Sequence, residues 1–161
     1  MFDMETAHDY TWRFVILKRI HEVGLWGPLT YFVKNFLTAR RFRTWVGSTF
    51  SEFHPQVQGV PQGGVLSCCL FALAIDGITS CIPATIKFSL YVDFTIYSSN
   101  YLPALERHIQ HAINQVLSWT MNHGFTISQS KTVEIHFHRK REHIEPNIYI
   151  QRRMVIFRST A

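Results

Sequence analysis

The sequence predicts an α+β domain, with a small antiparallel sheet backed by helices. Three observations predict it. The apolar residues switch several times between the 3.6 period of a helix and the 2 period of a strand. Two pairs of short β-type runs flank turn-like segments, which marks hairpins. A long amphipathic segment then separates the second hairpin from a final alternating run. At 161 residues, 47% hydrophobic and 14% aromatic, the chain can build one core of its own.

After a strand stub around Asp3, Trp12, Ile16, Leu17, Ile20 and Val23 recur at helical spacing. Asp9 and Thr11 are placed to cap that helix and Gly24 to end it. Pro28 suits a first helical position, and Leu29, Phe32, Val33, Phe36 and Leu37 form a second stripe. Arg43 to Val46, Gly47-Ser48 and Thr49 to Phe53 read as strand, turn and strand. Val65 to about Ser80 is apolar on most sides, which predicts a buried helix. Ile86 to Tyr91 and Phe94 to Ser98 predict the second hairpin. A long helix opens at Pro103, with Leu105, Ile109, Ile113, Val116 and Leu117 on one face, and closes at Gly124. Val133, Ile135 and Phe137 then alternate with Glu134, His136 and His138, the period of a half-exposed strand. No internal repeat or linker stands out.

The net charge of +5, with nine histidines left uncounted, favours an anionic partner such as nucleic acid. Cys68, Cys69 and Cys81 lack Cys-x-x-Cys spacing and stand among apolar residues, so they read as buried, reduced thiols without a disulfide partner. The apolar run from Val65 to Ile75 falls short of the roughly 20 residues that span a bilayer. Met1-Phe2-Asp3 does not open a signal peptide. The chain is therefore expected inside the cell, in nucleus or cytoplasm, with no membrane partner.

The chemistry concentrates between Gln58 and Tyr97. The loop Gln58-Gly59-Val60-Pro61-Gln62-Gly63-Gly64 leads into the apolar helix, and Ser89-Leu90-Tyr91-Val92-Asp93-Phe94 ends a hydrophobic strand on an acid. With Phe2-Asp3-Met4-Glu5-Thr6-Ala7-His8-Asp9 upstream, this order and spacing resembles the reverse transcriptases of non-LTR retrotransposons, in particular jockey-like elements. The resemblance covers most of residues 2 to 140. It implies a polymerase palm with a ferredoxin-like sheet and partial fingers over residues 1–140, followed by a divergent basic tail over 141–161. It also implies RNA-directed DNA polymerase activity on an RNA template and DNA primer, or an RNA-DNA hybrid, with deoxynucleoside triphosphates as substrates.

Residue by residue, the resemblance gives Asp3 and Asp93 the role of ligands to two Mg2+ ions. Such a pair, roughly 4 Å apart, activates the primer 3′-hydroxyl and neutralises the leaving pyrophosphate. Gln62 and Gly63 inherit contact with template and incoming nucleotide. His8 stands where a bulky aromatic excludes the ribose 2′-hydroxyl. Lys131 occupies the place of a lysine that protonates the pyrophosphate. From residue type alone, Lys34, Arg40, Arg41 and Arg43, interleaved with Phe36, Phe42 and Trp45, suit a nucleic-acid backbone with stacking support. Arg139, Lys140, Arg141, Arg152 and Arg153 form a second basic group.

The chain also departs from the family pattern. Its strand ends in one aspartate where the family has two, and Phe94 comes next, as a one-residue deletion would leave it. A hairpin shortened by one residue either absorbs the change in its turn or repacks its return strand. Gly64 and Cys68 replace a usual serine and proline, and the chain begins almost on the segment carrying Asp3, so the fingers that grip the triphosphate are expected to be missing. These departures predict an inactive or severely impaired copy. The alternative is a catalytically dead basic remnant that only binds RNA or an RNA-DNA hybrid.

Overall fold

A computed structural model describes residues 1–91, 93–98, 102–136, 147–151 and 153–159. In chain order the elements are β1 (Asp3–Met4), α1 (Ala7–Tyr10), α2 (Arg13–Glu22), α3 (Pro28–Leu37), β2 (Arg41–Phe42), β3 (Trp45–Val46), β4 (Thr49–Phe50) and β5 (His54–Pro55). There follow α4 (Val65–Asp76) with a 3-10 turn at Gly77–Cys81, β6 (Lys87–Leu90), β7 (Phe94–Tyr97) and α5 (Leu102–Asn122). The last strands are β8 (Ile127–Ser128), β9 (Val133–His136), β10 (Tyr149–Ile150), β11 (Arg153–Met154) and β12 (Ile156–Ser159). Contacts divide the chain into two units, one of Met1–Ala7 with Gly77–Ala161 and one of His8–Asp76.

In the first unit β6 and β7 form the expected hairpin, with Lys87 opposite Tyr97 through Leu90 opposite Phe94. A bridge joins Phe94 to Phe2, and β1 pairs in turn with β8, Asp3 opposite Ser128. These neighbours are all antiparallel. The inner faces meet at Phe2 and Phe94, whose rings stack at 4.5 Å with planes 5° apart. Ile78, Ile86, Ile96, Phe125 and Ile127 complete that core, together with Ala112, Ile113 and Val116 of α5. Helix α5 packs on the 3-10 turn, where a Cβ added to Gly77 would come within 3.3 Å of the Trp119 ring. Gly124, at φ +74°, supplies the left-handed residue that ends the helix, as the sequence predicts.

Two expectations change in this unit. Strand β9 pairs with β12 in parallel, Val133 opposite Ile156, so the strands are not all antiparallel, and they form short two-stranded pieces. The alternation of β9 also does not sort by polarity. Ile135 is 43% exposed, whereas Glu134 is half-buried and faces a cavity of about 570 Å3 also lined by Glu106, Ile109 and Ile150. Burial first, and then the charge of Glu106, raises the Glu134 carboxyl to about 7 against the opposing effect of the chain's ammonium end. Phe137 and His138 lie outside the described residues, as do Arg139, Lys140, Arg141 and Arg152.

In the second unit α2 packs on α3 and α4. Its buried residues are Val15, Ile16 and Ile20, met by Val33 and Leu37 of α3 and by Leu70, Phe71, Ala74 and Ile75 of α4. Arg19 ties α2 to the end of α4 through Asp76 at 2.7 Å, with Glu22 at 3.1 Å. Trp12, Val23, Leu29 and Phe32, read as part of the apolar stripes, are exposed. The residue at the start of α2 is Trp12, which offers no side-chain cap, so Asp9 does not fill that role. Cys68 and Cys69 are exposed and Cys81 half-buried, against the expectation of buried thiols. The physical reason is that α4 is apolar all round, and the pattern does not say which side turns inward.

The first hairpin forms as predicted, Trp45 opposite Phe50 and Val46 opposite Thr49 across Gly47-Ser48, with Gly47 at φ +60°. It extends to a second ladder, Arg41 opposite Pro55 and Phe42 opposite His54. Two residues, 43 and 44, therefore oppose three, 51 to 53, and the return strand bulges. No helix among the described residues is long and apolar enough to cross a membrane.

Candidate functional site

Asp3 and Asp93 come from distant parts of the sequence to neighbouring strands of one unit. The Phe2–Phe94 bridge is doubly hydrogen-bonded, the Phe2 N–H donating to the Phe94 carbonyl at 2.8 Å and the Phe94 N–H to the Phe2 carbonyl at 3.4 Å. Asp3 directly follows Phe2 and Asp93 directly precedes Phe94, so the two acids flank this bridge. The Met4 N–H donates to Asp93 Oδ1 at 3.3 Å, which fixes the second carboxylate beside the first strand.

Around Asp3 the charges are few. Lys131 Nζ stands 3.7 Å from Asp3 Oδ2, at ion-pair but not hydrogen-bond distance, with the lysine 71% and the aspartate 23% exposed. Asp3 Oδ2 is itself buried and accepts no hydrogen bond among the described residues. Lys131 is held near by the turn after β8, where Thr132 Oγ1 donates to the Ser128 carbonyl at 2.6 Å. Asp3, Asp93 and Lys131 are thus brought near one another, and Ser128 lies opposite Asp3 in the β1–β8 pair.

The geometry of the hairpin end accounts for the residue after Asp93. Leu90 faces Phe94 across residues 91–93, and the ladder behind is unbroken over four pairs. Phe94 is 1% exposed, with its ring turned inward onto Phe2. The return strand keeps Phe94 and Ile96 in the core. In the sequence Asp93 is flanked by Val92 and Phe94, with no adjoining second aspartate.

His8, Gln62 and Gly63 belong to the other unit. Gln62 Nε2 donates to Asp9 Oδ1 at 2.8 Å, and the His8 ring lies 4.6 Å from that of Phe71. The loop leading to Pro61 is fixed from below: the Gly59 N–H donates to the Thr11 carbonyl and the Val60 N–H to that of His8. A residue that nothing in the sequence marks completes the clamp. Arg13 donates to the carbonyls of Gln56 at 2.7 Å, Gly59 at 3.2 Å and Gln58 at 3.4 Å. Gly59 is obligatory here, at φ +80° with any Cβ only 2.4 Å from the Asp9 carbonyl oxygen. Gly63 also has positive φ, +83°, but open space around it.

Lys34 lies on the exposed side of α3, and Arg40 reaches back to the Phe36 carbonyl at 3.2 Å with its guanidinium 5.0 Å from the centre of the Phe36 ring. Arg41 and Arg43 stand on the exposed hairpin.

The profile of the family described as reverse transcriptase (RNA-dependent DNA polymerase) matches residues 2–152. Over 144 residues the chain is 26% identical to the Drosophila melanogaster RNA-directed DNA polymerase from mobile element jockey, covering 84% of this chain and 16% of that protein. Over 141 residues it is 24% identical to the probable RNA-directed DNA polymerase from transposon BS of the same species, covering 81% of this chain and 15% of that one. The chain thus spans only a small part of the length of these curated relatives.

Proposed function

We propose, for a chain that belongs to the reverse transcriptase family and within it to the jockey-like, non-LTR retrotransposon type, that residues 1–140 are the palm with partial fingers of an RNA-directed DNA polymerase. In this copy nucleotidyl transfer is absent or severely impaired, and affinity for an RNA template with its DNA primer remains. Residues 141–161 form a divergent basic segment beyond the palm.

The observation that carries this reading is Phe94. It stands where the family pattern has a second aspartate, and it is buried against Phe2, so no rotation of its side chain restores a ligand. Asp3 and Asp93 are the residues that would hold Mg2+. Asp3 Oδ2, buried without a hydrogen-bond donor, is a hard anionic oxygen of the kind a divalent cation satisfies. Among the described residues no group of three or more acidic, histidine or cysteine side chains is placed to hold a metal. The donor set therefore fits one water-completed ion better than two. When bound, such ions activate the 3′-hydroxyl and neutralise the pyrophosphate.

The remaining residues have roles that do not depend on full activity. Lys131, 71% exposed beside Asp3, is the lysine that would donate a proton to a leaving pyrophosphate. Gln62, held by Asp9, and Gly63 offer an amide and bare backbone to a template base and incoming nucleotide. His8, smaller than the aromatic it replaces, leaves room for a 2′-hydroxyl and so discriminates poorly against ribonucleotides.

Primer extension on an RNA template with Mg2+ and deoxynucleotides tests the proposal. The expected result is no product, or a trace, alongside salt-sensitive retention of the RNA-DNA hybrid. Robust incorporation abolished by Asp93→Ala would overturn the impaired reading, and absence of hybrid binding would overturn the retained affinity.

A further inference from the structure

Arg41 lies in β2, Trp45 in β3 and Arg43 between the two strands. Their contacts alternate guanidinium groups and aromatic rings in a column. Arg41 Cζ lies 5.5 Å from the centre of the Phe53 ring, and Arg43 Cζ lies 4.9 Å from that ring and 3.9 Å from Phe50. Phe50 in turn stacks on Trp45, with centroids 5.8 Å apart and planes 18° from parallel. The rings are 50 to 68% exposed, and Trp45, at the end of the column, is the most open.

Core packing does not account for three aromatic rings held in register on the surface. Their charged neighbours are also uncompensated. Between residues 28 and 59 Lys34, Arg40, Arg41 and Arg43 are opposed by Glu52 alone, and among the described residues no carboxylate pairs with Arg41 or Arg43. A guanidinium stacked on a ring keeps its N–H fork at the edge, where it suits a phosphate.

We propose that this column is a binding site for unpaired nucleotides, in which a base of a single strand stacks on Trp45 while Arg41 and Arg43 hold the adjoining phosphates. The inference rests on reading the chain as a binder of nucleic acid, and narrows it to an unpaired strand and to Trp45. A duplex hides its base faces within its own stack and offers this column only phosphates, whereas a single strand offers both.

Fluorescence anisotropy on the whole chain tests it, with a labelled 12-nucleotide oligouridylate and a 12-base-pair RNA duplex as probes. Both are measured in EDTA without nucleoside triphosphates, so the outcome is independent of catalysis. Trp45→Ala should weaken oligouridylate binding about tenfold, the order of one lost base–aromatic stack, and duplex binding less than twofold. Trp45→Phe should keep most of the affinity. Arg43→Ala should weaken both probes and lower the salt slope by about one. Equal effects of Trp45→Ala on the two probes, or no effect on either, would overturn the proposal. So would sedimentation showing that the exposed column joins two copies and that Trp45→Ala separates them. Trp45-dependent strand binding without incorporation leaves this inference standing, whereas incorporation with Trp45-independent binding overturns it alone.

Discussion

Two antiparallel contacts of this chain carry stacked aromatic pairs, one across the Phe2–Phe94 bridge and one across the β3–β4 hairpin, and they treat them in opposite ways. At the end of β7 the rings of Phe94 and Phe2 lie at 4.5 Å and are 1% and 3% exposed. Across β3 and β4 the rings of Trp45 and Phe50 lie at 5.8 Å and are 68% and 50% exposed. Backbone pairing is antiparallel in both, so pairing does not decide the difference. What decides it is the covering layer. The inner face of β7 meets β1 and the core beneath, whereas the rings of the β3–β4 hairpin stay half or more exposed, with the Arg43 guanidinium 3.9 Å from Phe50. A stack that is buried holds the sheet together and displaces chemistry. A stack that is exposed between cations is available to a ligand.

The contrast can be broken most directly at Phe94. Phe94→Ala should cost about 3–5 kcal/mol of stability, the range for deleting a buried aromatic ring, read as a lower urea midpoint at unchanged slope. Trp45→Ala should cost under about 0.5 kcal/mol in the same assay, as surface substitutions do. Equal costs would mean that the two stacks are not different in kind.

The next effect sharpens how the exposed hairpin is anchored. Gly59→Ala places a methyl 2.4 Å from one carbonyl oxygen and 2.7 Å from another at a positive φ, and should destabilise by about 2–4 kcal/mol. Thermal unfolding would show it. Gly63→Ala, at a similar φ but in open space, should cost about 1–2 kcal/mol, the conformational penalty alone.

The smallest effect concerns pH. Because the Glu134 carboxyl titrates near 7 in the folded chain against an ordinary 4.5, the fold binds its proton more tightly than the unfolded chain does. Its contribution to stability is complete below about pH 4.5 and is lost as pH rises through 7. Glu134→Gln should flatten that decline, measured as the difference in unfolding midpoint between the two proteins across that window. A parallel pair of curves would contradict the burial assigned to Glu134.

Much of this is legible in the residues. Gly24 and Gly124 stop helices because only a residue at ease with positive φ continues there, and Gly47-Ser48 fixes the register of its hairpin. A family resemblance singles out Asp3 and Asp93 together, and the Phe2–Phe94 bridge with the Met4 N–H donating to Asp93 brings the two segments side by side. The parallel pairing of β9 with β12 is not legible, since nothing in Ile156–Ser159 names its partner across so many residues. Nor are the exposed Cys68 and Cys69 on a helix apolar on every side, or Arg13, whose donors go to backbone carbonyls and leave no mark in the sequence.

On the proposed reading Asp3 and Asp93 share one divalent cation, with no third acid among the described residues to complete a pair. Titration of the chain with Mn2+, followed by electron paramagnetic resonance, measures this directly. One ion per chain, displaced by Mg2+ and lost in both Asp3→Asn and Asp93→Asn, is the expected result. Binding that survives either substitution, or two ions bound with equal strength, would contradict it.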